Sequence, residues 1–227
     1  MGELPALPAN KMKHWMGSGT MNRNVSGVVA AVFFVFATHA NAASSVDLSV
    51  IGKITPAACT PQLSNGGVVD YGKISVKDLV NGLNPMPVVA IQLTVACDAA
   101  TFFAVKSTDN RKDTSADNSH SSFGLGLGEN NQKLGLYNLT MENALADGAA
   151  AQMVESVDGS TWFPVSASQI WQPDWMRTAN APGPDYAPIA MQTFTADVVV
   201  ATKVRKPDVI TSEMRLDGSA TLVVFYL

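Results

Sequence analysis

Two cysteines are the residues of this sequence that could most readily do chemistry. Cys59 and Cys97 are its only cysteines, and they lie 38 positions apart. A thiol pair can carry out redox chemistry, bind a metal ion or form a structural disulfide. The compartment decides between these uses, because disulfides persist in oxidising surroundings and are rare in the cytosol.

The N-terminal segment predicts that the chain is exported. Three basic residues precede an unbroken run of apolar and small residues at 25–37, and a small-x-small cleavage pattern follows at 40–42. A run of 13 residues is too short to cross a bilayer comfortably as a helix. We therefore interpret 1–42 as an N-terminal extension and signal peptide, with cleavage after Ala37 or Ala40 as alternatives. In an oxidising compartment Cys59 and Cys97 are expected to form a disulfide.

Other catalytic groups are scarce in residues 43–227. His120 is the only histidine there and lies in a polar segment that reads as a loop, so we expect neither a Ser-His-Asp triad nor a Cys-His pair, and a multi-histidine metal site cannot be assembled. Gly124, Gly126 and Gly128 alternate with leucines, but they lack the spacing of a dinucleotide-binding loop. A pair of carboxylates stays open as an acid–base arrangement, although no Asp or Glu stands out. We predict no catalytic residue, no metal site and no cofactor.

Length and charge limit the classes of partner. Residues 43–227 make a chain of 185 residues, which suits one domain. Its 12 basic and 18 acidic side chains give a net charge of −6, which does not favour nucleic acid or anionic lipid. No second long apolar segment follows residue 37, so we do not expect an integral membrane protein.

Hydrophobic residues alternate along most of the mature chain, which is typical of strands. The alternation is clearest at 46–50, 87–97, 102–107, 193–204 and 218–227. Turn-forming pairs such as Asn65-Gly66, Asn81-Gly82 and Asp147-Gly148 separate these stretches. Only the alanine-rich segment 141–155 could form a turn or two of helix. Many short strands with regular turns predict an all-β fold, an antiparallel β-sandwich.

Two longer segments interrupt the strand pattern. Residues 108–122 are rich in Asp, Asn and Ser and read as a solvated loop. Residues 167–190 hold Trp171, Trp175 and Tyr186 among four prolines. These aromatic residues either seal one end of the sandwich or form a ligand-contacting loop, since an exposed aromatic ring can stack on a sugar or fill a partner's pocket.

Several short stretches resemble the subunits of chaperone–usher pili. Residues 50–59 resemble the first pilin strand, with Gly52 ahead of a short apolar stretch and the first cysteine. Residues 69–74 are similar to the following pilin strand, and 90–97 to the strand that carries the second cysteine. Tyr226 is next to last, as in pilins. As a whole the chain resembles an exported, fimbrial-protein-like family of unknown function.

The resemblance implies an immunoglobulin-like, pilin-like sandwich that lacks its last strand. Its open groove is covered first by a periplasmic chaperone and then by the N-terminal strand of the next subunit. The donor tail and first strand then contain Val46, Leu48, Val50, Gly52 and Ile54. If the strand that bears Gly52 starts near Leu48, residues 43–47 remain as the donor tail. The strand that docks the chaperone contains Gly218, Ala220, Leu222, Val224, Tyr226 and Leu227.

The expected function is therefore a structural fimbrial subunit that contributes to cell-surface adhesion. Its partners are a periplasmic chaperone, an outer-membrane usher and other fimbrial subunits, and host or surface glycans are a further class. The chain passes through the periplasm and ends in a fimbrium at the cell surface. Two alternatives stay open: a minor or tip adhesin with an aromatic ligand loop, and a self-complete periplasmic binding module.

Overall fold

The structure, a computed structural model, describes residues 49, 51, 58–166 and 168–227. The predicted signal segment 1–42 lies outside the described residues. The same holds for the residues predicted to form the donor tail and first strand, namely Val46, Leu48, Val50, Gly52 and Ile54.

The described residues form two antiparallel sheets, which confirms the predicted all-β sandwich. The first sheet contains β1 (Cys59–Leu63), β2 (Leu83–Pro85), β3 (Val89–Thr101), β5 (Phe123–Gly124), β6 (Gly135–Ala146), β7 (Ala149–Ala150) and β11 (Met191–Arg205). The second contains β4 (Phe103–Asp109), β8 (Met153–Ser156), β9 (Phe163–Val165), β10 (Met176–Ala179) and β12 (Ala220–Tyr226). Short 3-10 turns lie at Ser64–Gly67, Val76–Asp78 and Glu129–Asn131.

The order of the strands decides which edges are free. The main path of the first sheet runs β1-β3-β11-β6-β5, with β2 on β11 and β7 on β6. The second sheet runs β12-β4-β10-β8-β9. The first and last described strands, β1 and β12, are thus edge strands of opposite sheets.

The core lies between the sheets and is built from alternate residues of the long strands. Leu93 and Val95 of β3, and Phe103 and Val105 of β4, have no exposed surface. Phe103 meets Phe194 of β11 edge to face, with ring centroids 6.4 Å apart, so one aromatic pair joins the two sheets. Each fully buried side chain of this size contributes about 1.5–3 kcal/mol to folding.

The disulfide prediction is confirmed. Cys59 and Cys97 are directly opposite in the β1–β3 ladder, and their sulfur atoms are 2.02 Å apart. The bond fastens the edge strand β1 to the long strand β3.

The prediction that 141–155 could form a turn or two of helix was wrong, because this segment contributes to β6, β7 and β8. Asp147 and Gly148 both have positive φ, 48° and 79°, which suits a tight hairpin turn and stops a helix. The alternation of buried and exposed residues along β6 then outweighs the helix preference of alanine.

Two further expectations also need correction. The long loop expected at 167–190 contains β10, whose four residues are all buried and therefore show no alternation. Residues 69–74, which resemble a pilin strand, belong to no sheet. Gly72 has φ of 62° there, and its backbone N–H donates to the Asp70 carboxylate at 2.8 Å, so a local turn replaces strand pairing.

Candidate functional site: an open groove between two edge strands

The free edges of β1 and β12 lie on the same side of the sandwich. Among the described strands, β1 pairs only with β3 and β12 pairs only with β4. The backbone N–H of Cys59 donates to the Tyr226 hydroxyl at 2.9 Å, so the start of β1 touches the end of β12. This contact closes one end of the space between the edges.

Away from that contact the edges enclose a cavity of about 290 Å³. Its floor is the inner face of the first sheet, with Ile91, Leu139, Val198 and Val200. Leu63 at the end of β1 and Leu222 of β12 form its sides. These six side chains are aliphatic, whereas Tyr71, Tyr137, Thr202 and Ser219 add polar groups to the lining. The cavity therefore suits an extended chain, whose apolar side chains meet the aliphatic floor and whose backbone supplies polar groups.

A second cavity, of about 680 Å³, continues the first away from Tyr226. It lies between residues 69–79 and residues 204–216, and the two cavities share Val69, Tyr71 and Leu216. We call the two cavities together the groove. Residues 69–79 and 207–216 were not predicted to line a site, because extended segments without alternation give no sequence signal.

Strand β12 presents an apolar edge to the groove. Leu222 and Val224 face the core and are half-buried, whereas Val223 and Phe225 face outward and are 48% and 46% exposed. The alternation predicted for this strand is thereby confirmed. Gly218, just ahead of it, is crowded: a Cβ atom there would lie 2.9 Å from Leu125 Cδ2 and 3.1 Å from Tyr137 Cε1.

An ion pair lies just ahead of β12, next to Leu216 and Gly218, which line the groove. Arg111 donates two hydrogen bonds to the Asp217 carboxylate, from Nε at 2.7 Å and from Nη2 at 2.9 Å. The hydrogen bond lowers the pKa of Asp217 and raises that of Arg111. The Asp217 side chain is nevertheless 60% exposed.

Two contacts hold the segment 206–216 at the mouth of the larger cavity. The Glu129 carboxylate accepts hydrogen bonds from the hydroxyls of Thr211 and Ser212, each at 2.8 Å, which lowers the pKa of Glu129. Lys73 Nζ lies 3.7 Å from Glu213 Oε2 across the cavity, and both side chains are well exposed. Such an exposed ion pair contributes little stability.

The three aromatic residues of the proposed ligand loop are placed differently. Trp171 is fully buried, and its Nε1 donates to the Trp175 carbonyl at 2.9 Å. Trp175 is partly buried and packs against the core, whereas Tyr186 is 51% exposed. Trp171 therefore seals the sandwich, as the structural interpretation predicted, and cannot stack on a ligand from outside.

A buried ion pair lies beside Trp171, and no pattern in the sequence predicted it. Arg177 Nη2 lies 3.0 Å from Glu155 Oε2, both side chains are almost entirely inaccessible, and the guanidinium lies 5.9 Å from the centroid of the Trp171 ring. Burial lowers the pKa of Arg177, and Glu155 opposes that change. No sequence signal marks this pair, because charged residues in strands are by default placed on the surface.

The described residues contain no cluster of three or more His, Cys, Asp or Glu side chains that could hold a metal ion. His120 lies exposed in the polar loop. In the same part of the chain no helix is both long enough and apolar enough to span a membrane.

Comparison with known proteins gives a family match over part of the chain and similar proteins over most of it. Residues 48–122, which include both cysteines, match a family described as "Protein of unknown function (DUF1120)". Over 89% of its length the chain is 27% identical to "Protein GltF" of Escherichia coli (strain K12), covering 97% of that protein. It is also 27% identical to "Uncharacterized protein YhcF" of the same strain, over 90% of this chain and 99% of the relative. The chain is thus similar, almost end to end, to two Escherichia coli proteins.

Proposed function

We propose that this protein is a structural subunit of a chaperone–usher type fimbrium, joined to its neighbours by donor-strand exchange and contributing to cell-surface adhesion. The observation that carries the proposal is the apolar groove beside β12, whose second edge has no partner among the described strands. The resemblance of the sequence to pilins gives the same assignment independently.

The edge of β12 lacks the features that protect a solvent-exposed strand. Such edges usually carry charges, proline or a bulge, because an unpaired strand recruits other chains. Residues 218–227 contain neither a charge nor a proline. An added strand would complete the hydrogen-bond ladder and bury alternate apolar side chains, each contributing about 1.5–3 kcal/mol. Four such side chains would make a durable joint.

The same edge suits a periplasmic chaperone before assembly and a second subunit afterwards. An outer-membrane usher would replace the chaperone with the next subunit. The protein would therefore pass through the periplasm and end in a fimbrium. The burial of Trp171 weakens the alternative of an adhesin with an aromatic ligand loop.

Deleting the predicted tail tests the proposal. Without residues 43–47, the subunit should remain in the periplasm, co-purify with a chaperone and fail to join a fibre. The full-length protein should give a ladder of polymers on denaturing gels that are not boiled. Ser44→Ala together with Ser45→Ala is the matched control and should leave the ladder unchanged.

The proposal fails on one clear result. If the full-length protein and the deletion variant are both stable monomers that co-purify with no partner, the sandwich completes itself and no subunit exchange takes place.

A further inference from the structure

We infer that the groove takes residues 44–54 of a second copy of this chain, antiparallel to β12, in one particular register. In that register Leu48 and Val50 fill the smaller cavity, Val46 packs beside Val224, and Ile54 enters the larger cavity. The inference rests on the proposed function and adds to it the donor segment, its length and its alignment.

The start of β1 makes a donor of this length available. The resemblance to pilins predicted a first strand that begins near Leu48, which would leave only 43–47 as a tail. The observed strand begins at Cys59, and Ala58 lies outside it. The stretch from Leu216 to Tyr226, which borders both cavities, has 11 residues, and 44–54 has the same number.

Side-chain size and glycine placement set the alignment. Antiparallel pairing of Ser44 with Tyr226 puts Val46 opposite Val224, Leu48 opposite Leu222, and Val50 opposite Ala220. It also puts Gly52 opposite Gly218, so that two residues without side chains face each other. Ile54 then lies opposite Leu216, which lines both cavities.

The charges agree with this register. Lys53 points outward and lies opposite Asp217, whose carboxylate is largely exposed. Asp47 also points outward and lies opposite Val223, whose partner in β4 is Lys106. Both charges of the donor therefore come close to an opposite charge, which favours the pairing.

Neighbouring registers are less favourable. A shift by two residues in one direction places Lys53 opposite Arg215, so that like charges meet. A shift by two in the other direction places Ile54 opposite Gly218, which does not line the larger cavity. A shift by one would turn Asp47 and Lys53 into the apolar groove.

Chain length requires that the donor comes from another molecule. In this register Ile54 lies opposite Leu216, ten residues or roughly 33 Å from Tyr226 at about 3.3 Å per residue. In the same chain Ile54 is five residues from Cys59, whose backbone N–H contacts the side-chain hydroxyl of Tyr226. Five extended residues reach at most about 18 Å. A chain cannot place its own Ile54 at this position of its own groove.

Cysteine cross-linking between two full-length variants tests the register. Ser49 and Thr221 are predicted to face each other on the outer side, away from the apolar groove. Ser49→Cys and Thr221→Cys subunits are co-exported, oxidised mildly, alkylated and separated without reductant. Directly opposite Cβ atoms lie about 4.5–5.5 Å apart and diagonal Cα atoms about 7–8 Å apart, so only the direct pair suits a disulfide.

The matched control replaces Thr221→Cys by Val223→Cys, two positions along the same outward face. We expect at least tenfold more cross-linked dimer with Thr221→Cys than with Val223→Cys. Each variant exported alone shows the background from identical cysteines. The mass of the uncross-linked subunits reports whether the native Cys59–Cys97 bond is intact, and hence whether each variant has folded.

The other outcomes separate this inference from the proposed function. If Ser49→Cys cross-links preferentially to Val223→Cys or to Ser219→Cys, the register is wrong, but donor-strand exchange between subunits is still supported. If a chain that carries both Ser49→Cys and Thr221→Cys forms the disulfide within itself, the inference that the donor belongs to a second copy is overturned. Polymer ladders without any of these cross-links show that another segment is the donor. Monomers without any cross-link overturn the proposed function as well.

Discussion

At the scale of single residues, the buried pair of Arg177 and Glu155 is the least expected feature of the sandwich. Its two charges face the core on neighbouring strands, and the carbonyls of Gln169 and Ile170 accept further hydrogen bonds from the guanidinium at 3.0 and 3.1 Å. The pair thus ties the loop before β10 to the interior. Removing one partner would leave an uncompensated buried charge.

Glu155→Leu should therefore lower the free energy of unfolding by about 3–5 kcal/mol. Adding Arg177→Met should restore most of that loss, because an apolar pair of similar size replaces the charges. Urea unfolding of the two variants and the parent checks both values. A Glu155→Leu variant as stable as the parent would show that the ion pair does not hold the loop.

A second residue-scale prediction concerns the turn at Asp158. Its carboxylate accepts hydrogen bonds from the backbone N–H groups of Thr161 and Ser160, each at 2.8 Å, which lower its pKa from 3.8 to about 2. The folded state therefore favours the ionised form. Its stabilising effect is complete above the unfolded pKa near 4 and disappears as the pH falls through about 2.

Comparison of Asp158→Asn with the parent isolates this effect, since all other carboxylates titrate equally in both. The melting temperature of the parent should exceed that of the variant at pH 6, and the difference should vanish near pH 2. A difference that does not change with pH would mean that the charge of Asp158 plays no part.

At the scale of elements, β12 differs from the other edge strand of its sheet. Strand β9 carries Pro164, which cannot donate to a further strand, whereas β12 has no such protection. Its inward side chains pack on the core and its outward ones face solvent. A charge should therefore have different effects on the two faces.

Replacing Leu222 and Val224 by Asp should prevent stable protein from accumulating, because two apolar contacts of about 1.5–3 kcal/mol each are lost and two charges are buried. Val223→Asp, on the outward face of the same strand, is the control and should accumulate normally. Quantifying the protein in periplasmic extracts measures both. Equal accumulation of the two variants would contradict the assigned faces.

At the scale of the whole molecule, one disulfide fastens the edge strand that borders the groove. Breaking it with Cys59→Ser and Cys97→Ser frees a loop of 38 residues in the unfolded chain, which should lower the free energy of unfolding by about 4 kcal/mol. Thermal or urea unfolding checks this value. Recovery of a freely alkylated Cys59 from exported protein would contradict the disulfide.

The sequence by itself determined the fold class. It determined only in part how the two strands that carry the cysteines pair with each other. Alternating residues were enough to locate β3, β11 and β12, because each has one face in the core and the period of two records that burial. Strand β4 was located as well, although Phe103, Ala104 and Val105 are all fully buried. With only two cysteines, export left a single intramolecular pairing. Strand β10 was missed because it is buried on both faces and shows no alternation.

The tertiary structure alone decided the groove and the buried ion pair. The residues of the groove come from strands and loops far apart in the chain, such as Leu63, Tyr71, Val198 and Leu222, and no local pattern records that they meet. Glu155 and Arg177 are likewise neighbours only because β8 pairs with β10. Local periodicity reports which face of a strand is buried, whereas the partner of that face depends on contacts that form only in the folded chain.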